Sequence, residues 1–317
     1  MASARPTALA VLAVLAALSC MSTGCAPATT DTLPQRAPSP PRVGAAPKLD
    51  STRDQRLPIE KYLISPEENV RIERARSALM TSCMKRFGFD FDAENPNLGK
   101  KQNQTSHRYD PTDPAVAAVT GYHGAQEQAR GAARPSRKPL SPDMERVLGH
   151  GRNAPSLPGA GALPPGAEYH GITVPKGGCV GEAEAKLTAG GGTIQDAQAA
   201  VDINFDGYVR SMADARLKSV FAEWSACMKA EGFGYPNPEA AVKDPAWRSP
   251  APSKRERDTA AADARCKRKT NVVGTWFAVE SAYEKREIQA GAGRMARVRR
   301  SIDVTLKNAA ATEAAGK

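Results

Sequence analysis

Apolar residues recur at helical spacing in two stretches that end alike. In "ISPEENVRIERARSALMTSCMKRFGF" the residues Ile72, Ala75, Leu79, Cys83 and Phe87 fall on one face; in "ADARLKSVFAEWSACMKAEGF" Leu217, Val220, Phe221, Trp224, Cys227 and Met228 do the same. The first stretch also carries a start signal, with Ser65 as N-cap, Pro66 at the first helical position and Glu68 to complete a capping box. Both stretches run into Cys-Met-Lys-x-x-Gly-Phe, which puts Gly88 and Gly232 just past the last turn. Glycine there adopts the left-handed conformation that closes a helix, and the following residue packs on the one three before the cap. The expected contacts are Phe89 on Met84 and Phe233 on Met228. The repeat therefore reads as one helix ending used twice, with a cysteine on the buried face. It does not read as a reactive thiol, since neither copy has a histidine nearby.

A third stripe, Val272, Val273, Trp276, Val279 and Tyr283, predicts a long helix loosened near Gly291 and Gly293. Met295, Val298, Ile302 and Leu306 restart it before an Ala-rich tail, 308–317, expected to be disordered. Few runs are rich in Val, Ile, Thr and aromatics, so strands are scarce. The expectation is a mainly α domain over residues 58–307, its core built on the Trp224 and Trp276 helices. Two helix-cysteine halves would be joined by a long irregular stretch, 95–175, rich in Gly and Pro.

Composition changes sharply at the N-terminus. "MASARPTALAVLAVLAALSCMSTGC" has one charge, Arg5, then an apolar run from Ala8 to Leu18, then small residues: the layout of a secretory signal, 1–24, too short in its apolar core to span a bilayer. Thr23-Gly24-Cys25 looks like the end of a lipobox, which would make Cys25 the acylated mature N-terminus, although Ser22 stands where Leu is usual. A second lipobox at Cys20 and an ordinary cleavage near Ala26-Pro27-Ala28 are alternatives; without the lipid the protein would be secreted. Residues 25–57, rich in Pro, Ala, Thr and Ser without a periodic apolar face, are expected to be a disordered tether. The rest of the chain is thus placed at the extracytoplasmic face of the membrane, where disulfides form.

Of six cysteines, removing Cys20 and Cys25 leaves Cys83, Cys179, Cys227 and Cys266, an even number with three pairings. Sequential pairing, Cys83 with Cys179 and Cys227 with Cys266, gives each half one bridge. Each loop so closed would contribute roughly 4–5 kcal/mol in the chain-entropy model. No Cys-x-x-Cys occurs, so neither a zinc knuckle nor a thioredoxin-like pair has its usual spacing.

Taken together, the lipoprotein signal, Trp224 with Cys227-Met228 and Gly232, the "GYPNP" after it, "GGCVGEA" at 177–183 and "DARCKRKTNVVGTW" at 263–276 resemble a group of uncharacterised secreted lipoproteins of actinobacteria. The resemblance covers most of the mature chain. It implies the extracytoplasmic address, the two-bridge plan and a role beside envelope transport machinery, and it supplies no site residues.

Candidate chemistry is sparse. All four histidines, His107, His123, His150 and His170, lie in the 95–175 stretch at spacings that match no metal pattern. "DINFDGY" matches the first half of a calcium loop, with Asp202, Asn204 and Asp206 as ligands, but Ala213 stands where a bidentate carboxylate belongs. Ser82-Cys83-Met84-Lys85 matches S-x-x-K, yet its serine ends a helix where a penicillin-binding enzyme begins one. No G-x-S-x-G, H-E-x-x-H, P-loop or dinucleotide fingerprint is present, so no cofactor and no enzyme class is indicated. The formal charge of +10 becomes +9 once Arg5 leaves with the signal. Lys267, Arg268, Lys269, Lys285, Arg286, Arg294, Arg297, Arg299 and Arg300 are expected on the exposed side of the C-terminal helices. Outside the cell such a face meets lipid headgroups or anionic wall polymer, and nucleic acid is not an expected partner. The functional expectation is a noncatalytic envelope lipoprotein that binds or assists a membrane transporter or the wall. The alternative is a wall-acting hydrolase using acids and histidines of the 95–175 stretch, His123 or His170 above all.

Overall fold

The computed structural model describes residues 39–93, 103, 105–123, 140–149, 166–192 and 197–315. Among them the helices are α1 (Pro66–Arg86), α2 (Pro114–Thr120), α3 (Pro142–Leu148), α4 (Gly178–Leu187), α5 (Ala197–Ala213), α6 (Ala215–Ala230), α7 (Pro238–Val242), α8 (Lys254–Thr270), α9 (Val272–Ala290) and α10 (Ala292–Ala315). A two-residue hairpin, β1 (Glu168–Tyr169) against β2 (Ile172–Thr173), is the one sheet among these residues. None of the described helices is long and apolar enough to cross a membrane. Cys20, Cys25 and His150 lie outside the described residues.

Helix α1 starts as its sequence requires: Ser65 Oγ accepts from the Glu68 N–H at 3.2 Å, and Glu68 Oε2 accepts from the Ser65 N–H at 2.9 Å. It ends with Gly88 at φ +80°, the Gly88 N–H donating to Lys85 O at 3.0 Å and the Phe89 N–H to Met84 O at 3.1 Å. Helix α6 repeats this at Gly232, φ +91°, with donation to Lys229 O at 3.1 Å and from Phe233 to Met228 O at 2.9 Å. Both endings are Schellman caps, and only glycine enters that backbone region without a Cβ penalty.

The cysteines on these helices find the expected partners. Cys83–Cys179 joins α1 to α4 and Cys227–Cys266 joins α6 to α8. Around the second bridge lies the main core, where Leu217, Phe221, Trp224 and Met228 of α6 meet Val272, Val273 and Trp276 of α9. Around the first, Met84 and Phe87 pack on Val147 of α3 and Val174. A third cluster closes the molecule between them: Ala199, Ala200 and Ile203 of α5 against Met295, Val298 and Ile302 of α10.

Two expected boundaries are corrected. The tether does not extend to residue 57. From Pro40 onward the chain is a strap laid on the helices, held at separate points rather than by a ladder. Arg216 Nη1 donates to Pro41 O at 3.1 Å, Asn271 Nδ2 to Pro47 O at 3.0 Å, and the Leu49 N–H to Asn271 Oδ1 at 3.2 Å. Leu57 and Ile59, the latter in a 3₁₀ turn at Pro58–Tyr62, are buried with the α5–α10 cluster. The C-terminal tail is not disordered from 308: α10 continues to Ala315 because Ala309 is buried with Ile72 of α1 and Leu187 of α4, and Asn308 Nδ2 donates to Leu187 O at 2.9 Å. Within the stretch 95–175, residues 105–123 are ordered against the core, and Ala117 of α2 is buried with Ala260, Ala261 and Ala264 of α8, Tyr122 packing against them.

Asn271 serves two elements. It separates α8 from α9 at φ +53°, which asparagine tolerates better than most residues, and its amide grips the strap. Beside it Gly274 leaves the Pro47 carbonyl room: an added Cβ would stand 1.8 Å from that oxygen. Gly274→Ala is expected to lift the strap at a cost of about 1–3 kcal/mol, offsetting any gain in helix propensity. The measurement is hydrogen exchange at the Leu49 amide, expected to rise at least tenfold over the parent while amides of the α6 core are unchanged.

Candidate functional site

A cleft of about 460 Å³ opens between α2, α5, α7 and the segment 107–113, with Trp276 and Lys267 at its floor. Its construction starts from charges that the helical pattern leaves on the wrong side. Counting four from Trp276 on α9 gives Glu280 and then Glu284, and both are fully buried. On α8 the same holds for Asp263 and Lys267 and, in the first turn, Glu256. Buried carboxylates and ammonium groups persist only where partners meet them.

Lys267, expected on the basic surface, is 1% exposed, because its Nζ lies 3.1 Å from Asp263 Oδ2 and donates to the carbonyls of Tyr109 (3.1 Å) and Pro111 (3.2 Å). Asp263 also accepts from Trp224 Nε1 at 2.9 Å. Burial raises the Asp263 carboxyl to about 6, with Lys267 pulling against that rise. Arg108 pairs with Glu280 and donates to Asn204 O at 2.7 Å, its guanidinium lying 4.9 Å from the Tyr208 ring centre. Tyr109 Oη donates to the other Glu280 oxygen at 2.7 Å. Thus one irregular segment, 105–113, supplies the counter-charge and the carbonyls that two helices need.

Glu284 has a weaker set of partners. Its Oε2 accepts from the Ile59 N–H at 3.1 Å, Oε1 has no hydrogen-bond partner, and Glu280 lies one turn away. Burial first, and repulsion from Glu280 second, push its carboxyl from the ordinary 4.5 to about 8, so it is protonated at neutral pH. Gly207 explains how α5 lies so close: a Cβ there would stand 2.9 Å from Glu284 Cγ.

At the cleft edge Glu256 accepts from the Tyr122 N–H at 2.9 Å and lies 3.5 Å from His123 Nε2. Gly121, φ +60°, permits this approach, since its Cβ would meet Glu256 Oε1 at 2.5 Å. His107 also lines the cleft and pairs with Asp110 at 2.5 Å. His170 does not: it sits in the hairpin turn, edge-on to Tyr169.

The calcium candidate fails on geometry. Asp202, Asn204 and Asp206 stand within α5, where residues two apart do not face each other, and Asp202 accepts from Gln198 Nε2 at 2.8 Å. The Asp-Gly pair marks a helix crossing, not a turn. Of the basic residues expected on the surface, Arg268 reaches Asp50 at 3.5 Å and Arg299 reaches Glu68 and Asp303, both at 2.7 Å. Lys269, Lys285, Arg294 and Arg300 are exposed.

A pH dependence follows, with a definite sign. A carboxyl whose folded value is raised contributes stability that is fully present below its unfolded value and lost as pH rises through the folded one. For Glu284 that window runs from 4.5 to about 8, and ionisation costs on the order of a few kcal/mol. Glu280 and Asp263 act in the same direction. Glu182 opposes them at the acid end, since Arg86 and Lys186 hold it down to about 2. Urea midpoints are therefore expected to fall between pH 5 and pH 8.5, and Glu284→Gln to flatten that fall, making the variant more stable than the parent at pH 8.5.

No family model, curated protein or solved structure matches this chain.

Proposed function

We propose that the protein is a noncatalytic lipoprotein of the cell envelope, held at the extracytoplasmic face by an acyl anchor on Cys25, with a binding or accessory role beside a membrane transporter or the wall. The observation that carries this reading is the state of two cations at the cleft, the buried Lys267 and the largely buried Arg108, and of the carboxylates behind them. Lys267, Arg108, Asp263 and Glu280 are engaged with one another or with main-chain and aromatic partners. What such a cleft offers a ligand is a fixed shape rather than a reacting group. The two bridges, Cys83–Cys179 and Cys227–Cys266, accord with an oxidising compartment. The resemblance to secreted lipoproteins points the same way.

One observation favours the second reading, a wall-acting hydrolase. His123 stands 3.5 Å from Glu256 on the cleft edge, a base and its orienting carboxylate in outline. Digestion of purified wall that disappears in His123→Ala would support it.

The test of the first reading has two parts. Cys25→Ala is expected to move the protein from the membrane fraction to the medium; an unchanged membrane fraction would contradict the anchor. In-cell crosslinking of the membrane-held protein is expected to capture permease or efflux subunits, or wall polymer. Recovery of neither would contradict the accessory role.

A further inference from the structure

Helix α5 presents an apolar stripe to water. Val201 is 47% exposed, Phe205 66% and Val209 47%, at positions i, i+4 and i+8, so they share one face over about 12 Å. The opposite face, Ala199, Ala200, Ile203, Gly207 and Ser211, is buried in the molecule. Phe205 is the one aromatic side chain in the exposed class among the described residues. An outward Phe flanked by two outward valines is an interaction surface in search of its cover.

The position of the stripe says what covers it. The strap's first fixed point is Pro41, whose carbonyl accepts from Arg216 at 3.1 Å. Arg216 in turn holds Asp214, the residue that joins α5 to α6. The chain therefore leaves the body at the C-terminal end of α5, and Val209 lies one turn, about 6 Å, before that end at Ala213. Between Cys25 and Pro40 there are 14 residues, 26–39, with a reach of at most about 50 Å. Near the exit Arg42 and Lys218 are exposed, while Arg210 pairs with Glu287 at 2.8 Å and Arg216 with Asp214 at 2.7 Å; Asp202 and Asp206 are exposed beside Val201 and Phe205. The Val209 end of the stripe is thus the end nearest the chain's exit.

We propose that this face of α5 rests on the membrane. With the acyl chains on Cys25 inserted, Val201, Phe205 and Val209 enter the boundary between headgroups and acyl chains, and Arg42 and Lys218 meet anionic headgroups. Three side chains are too few to bind a bilayer from solution. The short tether supplies the effective concentration that makes so small a contact persist. Tyr208 of the same helix lines the cleft, which is then carried beside the bilayer surface. This rests on the anchor proposed above.

The test imposes the anchor chemically. The mature chain from Cys25, with its other four cysteines in disulfides, is coupled through the Cys25 thiol to a maleimide lipid in phosphatidylcholine–phosphatidylglycerol vesicles whose acyl chains carry bromine. Phe205→Trp adds one exposed reporter; Trp224, Trp247 and Trp276 are buried and give a constant background. The bromine is expected to remove at least half of the added fluorescence. Ser82→Trp, exposed on α1, which packs on α3, α4 and α10, is expected to lose none. No quenching at 205, or equal quenching at both positions, overturns the proposal. Absence of quenching joined with crosslinking of position 205 to an envelope protein in cells overturns it in favour of a protein partner. Because coupling is imposed, the result is independent of whether cells acylate Cys25, which the fractionation of Cys25→Ala reads separately.

Discussion

The fold depends on a lysine that cannot reach water. Lys267 sits among α6, α8 and α9 with Asp263, and neither charge is tolerable there without the carbonyls of Tyr109 and Pro111 and the indole of Trp224. A few ångströms on, Glu280 makes the same demand and Arg108 and Tyr109 meet it. Segment 105–113 has no regular structure of its own, so its backbone gains little from ladders. It is ordered because the helices need its donors and acceptors as much as it needs theirs. The cleft is the outward side of this arrangement, and its shape is fixed by the same pairs.

This explains which parts of the structure were legible in the sequence. The helix endings at Gly88 and Gly232 could be read because glycine's φ > 0 and a following Phe have one local explanation. The bridges could be read because two cysteines lay on apolar stripes in a chain whose N-terminus reads as a secretory signal. Lys267 could not: in "CKRK" it looks like its neighbours Arg268 and Lys269, and only its spacing of four from Asp263, in an alanine-rich turn beside Cys266, marks it. Glu280 and Glu284 were hidden similarly, since a stripe is found by counting apolar residues and these two are carboxylates on its edge.

Composition misled in the opposite direction at the termini. Residues 40–57 lack periodicity because a strap pinned by Arg216, Asn271 and Thr105 needs none; Thr52 Oγ1 donates to Thr105 O at 2.6 Å, and the Leu57 N–H donates to Thr105 Oγ1 at 3.1 Å. The Ala-rich stretch after Lys307, expected to be disordered, is helical, and the small size of Ala309 lets it pack with Ile72 and Leu187. The strap fixes where the chain leaves the helical body, beside Arg216 at the junction of α5 and α6.

The central claim, that buried ion pairs make segment 105–113 part of the core, is tested most directly by Lys267→Met. Methionine fills similar volume but leaves Asp263 and two carbonyls unpaired, and breaking a buried pair in this way costs about 3–5 kcal/mol. Urea unfolding at pH 7 is expected to show that loss, with exchange at the amides of 105–113 accelerated more than at α6. A loss under about 1 kcal/mol, with those amides as protected as in the parent, would contradict the account.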